Sequence, residues 1–115
     1  MLTPPLRGEI YWVALDPTVG TEIAKTRPSL IISNDVGNRS SQRVIVAPIT
    51  SQGTGRIYPF EVLVPAGEGG LTQTSKVLLS QIRTIDKQRL GQWIGVLPTD
   101  RMDEVNVAIR ISLAV

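Results

Sequence analysis

A chain of 115 residues is long enough for one domain with a single modest hydrophobic core. Its 42% hydrophobic and 19% charged residues are typical of a globular protein, and the net charge of +2 allows a polyanionic partner without requiring one. The chain contains no cysteine and no histidine, which excludes disulfides, thiolate nucleophiles, Ser-His-Asp triads and histidine-based metal sites. Any catalysis must therefore use Arg, Lys, Glu, Asp, Ser, Thr or Tyr side chains.

Most of the chain consists of short β-rich runs separated by turn signals. Polar residues at 20–26 and 37–42 are interpreted as loops. Because proline restricts the preceding residue to extended conformations, we expect Arg27, before Pro28, at a corner between the first loop and a strand. Six strands are predicted, in chain order at 10–15, 30–32, 44–49, 60–64, 77–79 and 93–97.

The hydrophobic period changes to that of a helix near residue 100. Apolar residues at helical spacing predict an amphipathic C-terminal helix whose first turn is capped by Asp100. Short strands followed by one helix predict a mainly β fold, a small partly open barrel with a C-terminal α-helix, as a single domain over 1–115. No apolar stretch approaches membrane-spanning length and 1–6 does not resemble an export signal, so we expect a cytoplasmic protein without membrane contact.

Candidate catalytic groups lie in two polar segments. The guanidinium of Arg27 offers a fork of donors that matches phosphate oxygens, Glu22 can accept a proton, and Thr50, followed by Ser51, can donate a hydrogen bond. Together these groups would suffice to cleave RNA through its own 2′-OH, without a metal ion or a protein nucleophile. The alternative is a surface arginine, a solvated glutamate and a threonine that caps its own turn.

Ordered blocks of this sequence resemble the MazF/PemK family of toxins. The resemblance runs from about Arg7 into the C-terminal helix and so covers nearly the whole chain. The blocks are 7–12 (RGEIYW), 16–22 (DPTVGTE), 26–28 (TRP), 33–35 (SND), 47–50 (APIT) and 79–87 (LSQIRTIDK).

The resemblance implies a sequence-selective endoribonuclease toxin that cuts single-stranded messenger RNA until an antitoxin neutralises it. It implies an SH3-like barrel with a C-terminal helix, assembled as a homodimer, and neither a cofactor nor a metal ion. RNA would lie in a groove across the dimer interface, and the C-terminal segment of a MazE-like antitoxin would occupy overlapping surface. The expected products end in a 2′,3′-cyclic phosphate and a 5′-hydroxyl.

The same resemblance assigns the catalytic residues. The family's arginine before proline corresponds to Arg27, its threonine at the end of the Ala-Pro-Ile-Thr strand to Thr50, and its loop acid to Glu22. Because arginine in proteins essentially never loses its proton, we interpret Arg27 as a clamp on the phosphorane, with Glu22 or a water as the base. Candidate RNA-binding residues are Thr21, Lys25, Ser51, Tyr58, Gln81 and Arg83.

The binding candidates carry more detailed expectations. Gln81 and Arg83, two residues apart, are expected to point the same way on a strand, with Gln81 reading a base edge and Arg83 contacting phosphate. The alternative is that Gln81 pairs across the sheet while Arg83 lies in solvent. Tyr58 is expected to be a stacking platform for RNA bases. Lys76 is interpreted as a solvated charge, and Trp12 and Trp93 are assigned to the core or a dimer face.

Two other classes of function share such a fold. A gyrase poison would need a C-terminal tail bearing tryptophan, whereas this chain ends in ISLAV at 111–115. A non-catalytic SH3-like interaction module needs no catalytic groups, yet Arg27 and Thr50 are both present. An apolar edge at 44–49 is interpreted as a possible dimer contact.

Overall fold

The computed structural model describes residues 3–115, which form seven antiparallel strands and a long C-terminal helix. The strands are β1 (Glu9–Ala14), β2 (Thr26–Ile31), β3 (Arg43–Thr50), β4 (Glu61–Val64), β5 (Ser75–Leu78), β6 (Arg83–Asp86) and β7 (Leu90–Val96). The α-helices are α1 (Asp35–Ser40) and α2 (Thr99–Leu113), and short 3-10 helices cover Glu68–Gly70, Leu79–Gln81 and Lys87–Arg89. The prediction of a mainly β fold with a C-terminal helix is confirmed.

Strand β3 connects the two halves of the fold. The strand order is β4-β5-β3-β2-β1-β7, and β6 also pairs with β3. The first half of β3 pairs with β6, Val46 to Pro48 pair with β2, and Ile49 and Thr50 pair with β5. A strand that changes partners in this way turns the corner between two packed sheets. The interpretation of 44–49 as an exposed edge for a dimer is therefore wrong, because β3 is a central strand.

Buried side chains form two clusters on opposite faces of the sheet. Adjacent residues of a strand point to opposite faces, and Leu30 lies in one cluster while its neighbour Ile31 lies in the other. The Leu30 cluster also contains Val105 and Ala108 of α2. The helix thus covers one face of the sheet, as its hydrophobic spacing predicted.

Helix α2 begins differently from the prediction. It starts at Thr99 with Pro98 as its N-cap residue, and no side chain caps the first turn. Asp100 lies inside that turn, where its carboxylate accepts a hydrogen bond from the backbone N–H of Arg101 at 3.0 Å. A negative charge there still suits the positive end of the helix dipole.

Two short elements differ from the prediction. Residues 37–42 were expected to be a loop, but α1 occupies most of them because the side chain of Asn34 accepts a hydrogen bond from Gly37 N at 2.7 Å and caps the helix. Strand β6 was not among the six delimited strands, although a strand carrying Gln81 and Arg83 was expected. Its alternation of exposed and buried residues spans only four positions.

The glycines in β7 have a packing reason. A Cβ added at Gly95 would lie 2.3 Å from the carbonyl oxygen of Gly69, and one at Gly70 would lie 2.3 Å from the carbonyl oxygen of Ile94. The Glu68–Gly70 turn therefore lies directly against β7, and only glycine permits this approach. These glycines are therefore compatible with a strand, and the strand predicted at 93–97 is confirmed as β7.

The tryptophans do not belong to the core. Trp12 in β1 and Trp93 in β7 are both exposed in this chain, which leaves a dimer face as their predicted location. Across residues 3–115 the helices are too short and too polar to span a membrane.

Candidate active site

Arg27 is the second residue of β2, with its backbone paired to Val13 of β1. Its Nε donates a hydrogen bond to the carbonyl oxygen of Ala24 at 3.1 Å. Within residues 3–115 the guanidinium has no carboxylate partner, and its two terminal nitrogens donate no hydrogen bond. The side chain is therefore oriented by one bond and keeps its forked donors for a ligand.

Arg27 and Thr50 lie on neighbouring strands of the sheet, β2 and β3. The β2–β3 ladder ends at the pair Ser29–Pro48, beyond which β3 pairs with β5 through Ile49 and Thr50. Arg27 and Thr50 each lie two residues beyond that last pair, at the same end of the ladder. The fold thus brings two residues that are 23 positions apart in the sequence to one end of the ladder.

The hydroxyl of Thr50 makes the contact expected of a threonine that caps its own turn, the alternative to a catalytic role. Thr50 is buried, and its Oγ1 accepts a hydrogen bond from Gln52 N at 3.1 Å. A hydroxyl that accepts in this way still has its own hydrogen to donate. The turn contact fixes the side chain and leaves it able to donate to an anion.

A cavity of about 450 Å³ adjoins Arg27. Ile49 and Ser51, the residues on either side of Thr50, also line it. The cavity is also lined by residues that the sequence did not mark as part of a site: Trp12, Thr72, Gln73 and Ser75. The signal available in the sequence was the polar run 72–75 directly before a predicted strand.

Glu22 lies in a different depression. A smaller cavity of about 210 Å³ is lined by Glu22, Gln81 and Arg83, together with Ile23, Ser80 and Ile82. Glu22 is exposed, and its carboxylate accepts a hydrogen bond from Val19 N. The structure therefore groups Glu22 with the two predicted RNA-binding residues, whereas Arg27 lines the larger cavity.

Gln81 and Arg83 do not share a strand, so that prediction is wrong. Gln81 ends a 3-10 helix and Arg83 begins β6. The side-chain oxygen of Gln81 accepts from Ile23 N at 2.8 Å, and Nη1 of Arg83 donates to Leu15 O at 3.0 Å. Both side chains hold the loop between β1 and β2, and the alternative of a solvated Arg83 is also wrong.

Lys25 takes an unusual backbone conformation in that loop. Its φ of 70° lies in the left-handed region, which residues other than glycine rarely adopt. Its N–H donates to the Asp16 carboxylate at 3.0 Å, and its carbonyl accepts from Leu15 N at 3.0 Å. Lys25 and Thr21 are both exposed on this loop, where their side chains are accessible to a ligand.

Tyr58 lies in the segment 51–60, which follows Thr50 directly and which we name the 51–60 loop. Tyr58 is 40% exposed, and its ring stacks on that of Phe60, with centroids 5.5 Å apart and an angle of 3° between the rings. The guanidinium carbon of Arg56 is 4.9 Å from the Tyr58 ring centroid. The loop thus presents an aromatic surface beside a positive charge.

Lys76 was interpreted as a solvated charge, and this is wrong. It is buried in β5, where it is the strand partner of Thr50, and its Nζ lies 2.9 Å from a carboxylate oxygen of Glu61. The attraction to the Glu61 carboxylate offsets the free-energy cost of removing the ammonium from water.

Tyr11, which lies outside these two cavities, has a strongly raised pKa. Burial, with the adjacent Glu9 carboxylate, raises the pKa of Tyr11 to about 12. Its hydroxyl donates to Glu9 at 3.2 Å. Tyr11 stays protonated at neutral pH and is not a general base there.

Comparison with known proteins identifies the family. The PemK-like, MazF-like toxins of type II toxin–antitoxin systems match the chain over residues 6–113. Endoribonuclease EndoA of Bacillus subtilis (strain 168) is 47% identical over 108 residues, covering 94% of this chain and 93% of EndoA. Endoribonuclease MazF of Staphylococcus saprophyticus is 43% identical over 107 residues, covering 93% and 89% of the two chains.

Solved structures show the same fold. MazF from Deinococcus radiodurans (form I) superposes with a TM-score of 0.84 at 28% identity, covering 98% of this chain and 99% of that one. An endoribonuclease from Mycobacterial species, solved in complex with its cognate antitoxin, gives a TM-score of 0.81 at 28% identity and 96% coverage of both chains. The chain therefore belongs to the PemK/MazF family of endoribonuclease toxins of type II toxin–antitoxin systems, as its ordered sequence blocks predicted.

Proposed function

We propose that this endoribonuclease cleaves single-stranded messenger RNA at specific sequences, through the 2′-OH of the substrate and without a metal ion. The observation that carries the proposal is the unpaired guanidinium of Arg27, which lines the larger cavity at the same end of the β2–β3 ladder as Thr50. An arginine placed only for stability would be expected to pair with a carboxylate or to lie in solvent. Arg27 is half-buried, oriented and free to bind an anion.

In the proposed reaction, the 2′-oxygen attacks the adjacent phosphorus and the bond to the 5′-oxygen breaks. A base takes the 2′-OH proton, and the departing 5′-oxygen receives a proton. The products are a 2′,3′-cyclic phosphate and a 5′-hydroxyl. Arg27 and the Thr50 hydroxyl donate hydrogen bonds to the phosphoryl oxygens, whose negative charge grows in the transition state.

Two candidates for the base remain, Glu22 and a water molecule. Glu22 can accept a proton but lines the smaller cavity with Gln81 and Arg83. Glu22 can therefore take the proton of a 2′-OH next to a phosphate bound at Arg27 only if the RNA spans both cavities. Glu22 lies in the loop between β1 and β2. This loop leads directly into β2, the strand that carries Arg27, and so connects the two cavities along the chain.

We propose that RNA follows a path from the smaller cavity past Arg27 to the 51–60 loop. The free amide N–H groups of Gln81 are suited to a base edge, and the remaining donors of Arg83, with Lys25, to phosphate. Thr21 and Ser51 supply hydroxyls along the same path, and Tyr58 supplies an exposed ring for stacking.

We also propose a homodimer whose activity a MazE-like antitoxin blocks in the cytoplasm. Val107 and Ile111 of α2 are four residues apart on one helix face, and both are half-exposed. An apolar helix face of this kind is suited to contact with a second copy. The endoribonuclease from Mycobacterial species was solved with its cognate antitoxin, which supports a comparable partner here.

The test is cleavage of a long single-stranded RNA in excess EDTA, with the ends mapped by primer extension. Discrete cuts at a recurring short sequence are expected. Arg27→Ala should lower the rate roughly 100- to 1000-fold, the effect of losing one transition-state donor. Arg39→Ala, at an exposed position on α1, is the matched control and should cleave like the wild type.

Intact RNA from a folded, antitoxin-free wild type would overturn the proposal in favour of a binding-only toxin. Equal rates for Arg27→Ala and the wild type would remove Arg27 from the reaction. Loss of cleavage in EDTA, restored by Mg²⁺, would contradict the metal-independent mechanism.

A further inference from the structure

A buried ion pair lies beneath the 51–60 loop. The side chains of Lys76 in β5 and Glu61 in β4 are only 10% and 7% exposed, and Nζ is 2.9 Å from Oε1. Buried ion pairs of this kind contribute little net stability, because desolvation offsets their attraction. A pair retained in the interior therefore calls for an explanation beyond stability.

The same two side chains hold the backbone of the loop. Nζ of Lys76 donates to the carbonyl oxygen of Arg56 at 3.2 Å, and the carboxylate of Glu61 accepts from Tyr58 N at 3.1 Å. A further bond runs from Glu61 N to the carbonyl oxygen of Tyr58 at 2.8 Å. One ion pair thus fixes the positions of two residues of the aromatic surface.

Apart from this pair, the loop is held by hydrogen bonds from Gln52 N to Thr50 Oγ1, from Arg56 N to Gly53 O and from Leu79 N to Phe60 O. None of its ten residues is buried: eight are exposed, and Thr54 and Phe60 are half-buried. Its glycines at 53 and 55 increase the freedom of the unconstrained backbone. Nevertheless, the Tyr58 ring is stacked on Phe60 and lies 5.9 Å from the Lys76 ammonium. Lys76 is also the strand partner of Thr50, so this arrangement adjoins the candidate catalytic threonine.

We propose that Lys76 and Glu61 are positioning residues for RNA binding, which hold the Tyr58 ring where a base of single-stranded RNA stacks beside Thr50. The inference rests on the proposed cleavage of single-stranded RNA. The ion pair acts on RNA affinity through Tyr58 and leaves the chemical step at Arg27 unchanged.

The main variant is the double substitution Lys76→Met and Glu61→Met. It removes both charges together, so that neither is left buried without a partner, and it replaces them with apolar side chains of similar length. We expect KM for RNA to rise about tenfold, within the range measured for loss of one base–aromatic stack, while kcat stays the same. Thermal unfolding should show that the variant is folded at the assay temperature.

Arg101→Met is the matched control for breaking an ion pair. Arg101, on α2, binds Glu68 with N–O distances of 2.8 and 2.9 Å and also pairs with Glu104, and neither partner belongs to the 51–60 loop. This variant should leave both KM and kcat unchanged, whatever it does to the melting temperature.

A double-mutant cycle with Tyr58→Ala tests whether the pair acts through the ring. Residues that act through one another show non-additive effects. In the Tyr58→Ala background, the two methionine substitutions should raise KM no further. A full additional tenfold rise in that background, an unchanged KM in the first experiment, or a fall in kcat alone would each overturn the inference.

Equilibrium binding separates this inference from the proposed function. Fluorescence anisotropy of a labelled single-stranded oligoribonucleotide, measured in an Arg27→Ala background, reports affinity without cleavage. If the wild type fails to cleave, the proposed function fails. A rise in the Kd for RNA on the double substitution of Lys76 and Glu61, present only when Tyr58 is intact, still supports the positioning role. Absence of RNA binding by every variant would overturn both.

Discussion

At the scale of single residues, the hydroxyl of Thr50 should matter for the chemical step. Thr50→Val keeps the shape and removes the donor, and a hydrogen bond to a charged group contributes about 1.5–3 kcal/mol, so we expect a roughly 10- to 100-fold lower single-turnover rate. Thr50→Ser retains the hydroxyl and should keep most of the activity. A valine variant as fast as the wild type would show that Thr50 serves only its turn contact with Gln52.

Glu22 gives a second prediction at this scale, in the single-turnover rate. If its carboxylate is the base, Glu22→Gln, which keeps the shape and removes the proton acceptor, should lower that rate roughly 100- to 10,000-fold. Asp103→Asn, at an exposed position on α2, is the control. A Glu22→Gln variant as fast as the wild type would assign the base to water.

At the scale of elements, α2 is joined to the Glu68–Gly70 turn by a forked pair between Arg101 and Glu68. The hydrogen bonds from Arg101 lower the pKa of Glu68 below its usual value of 4.5. A lowered carboxyl pKa stabilises the fold above the unfolded pKa, and this contribution is lost as pH falls through the folded pKa. Glu68→Gln should therefore lower the melting temperature at neutral pH, and the difference from the wild type should shrink in acid. A difference that is constant with pH would contradict this role.

At the scale of the whole molecule, the half-exposed face of α2 should carry a dimer contact. Ile111→Glu places a charge there and should shift the protein toward monomer in sedimentation equilibrium, with a parallel loss of RNA cleavage. Val36→Glu, on the exposed face of α1, is the control and should stay dimeric. A dimeric Ile111→Glu variant would place the interface elsewhere, and a monomeric wild type at micromolar concentration would contradict the homodimer.

The sequence alone determined the family, the fold class and six of the strands. Local hydrophobic patterns report strands and the long helix directly, and Pro28 restricts Arg27 to an extended conformation through a local steric effect. Short elements carry too little pattern, which is why α1 and β6 were missed. For α1 the deciding interactions are the Asn34 cap and the burial of Asn38, whose amide donates to Ser33 O at 2.9 Å.

Only the tertiary structure decided which residues meet. The β2–β3 ladder brings Arg27 and Thr50 to the same end of it, and Gln81 and Arg83 converge on one loop from two different elements. The burial of Lys76 was not predictable from its sequence neighbours, because all of β5 is enclosed between β3 and β4. Local pattern depends on a residue's neighbours in the chain, whereas burial and pairing depend on strands that arrive from distant parts of it.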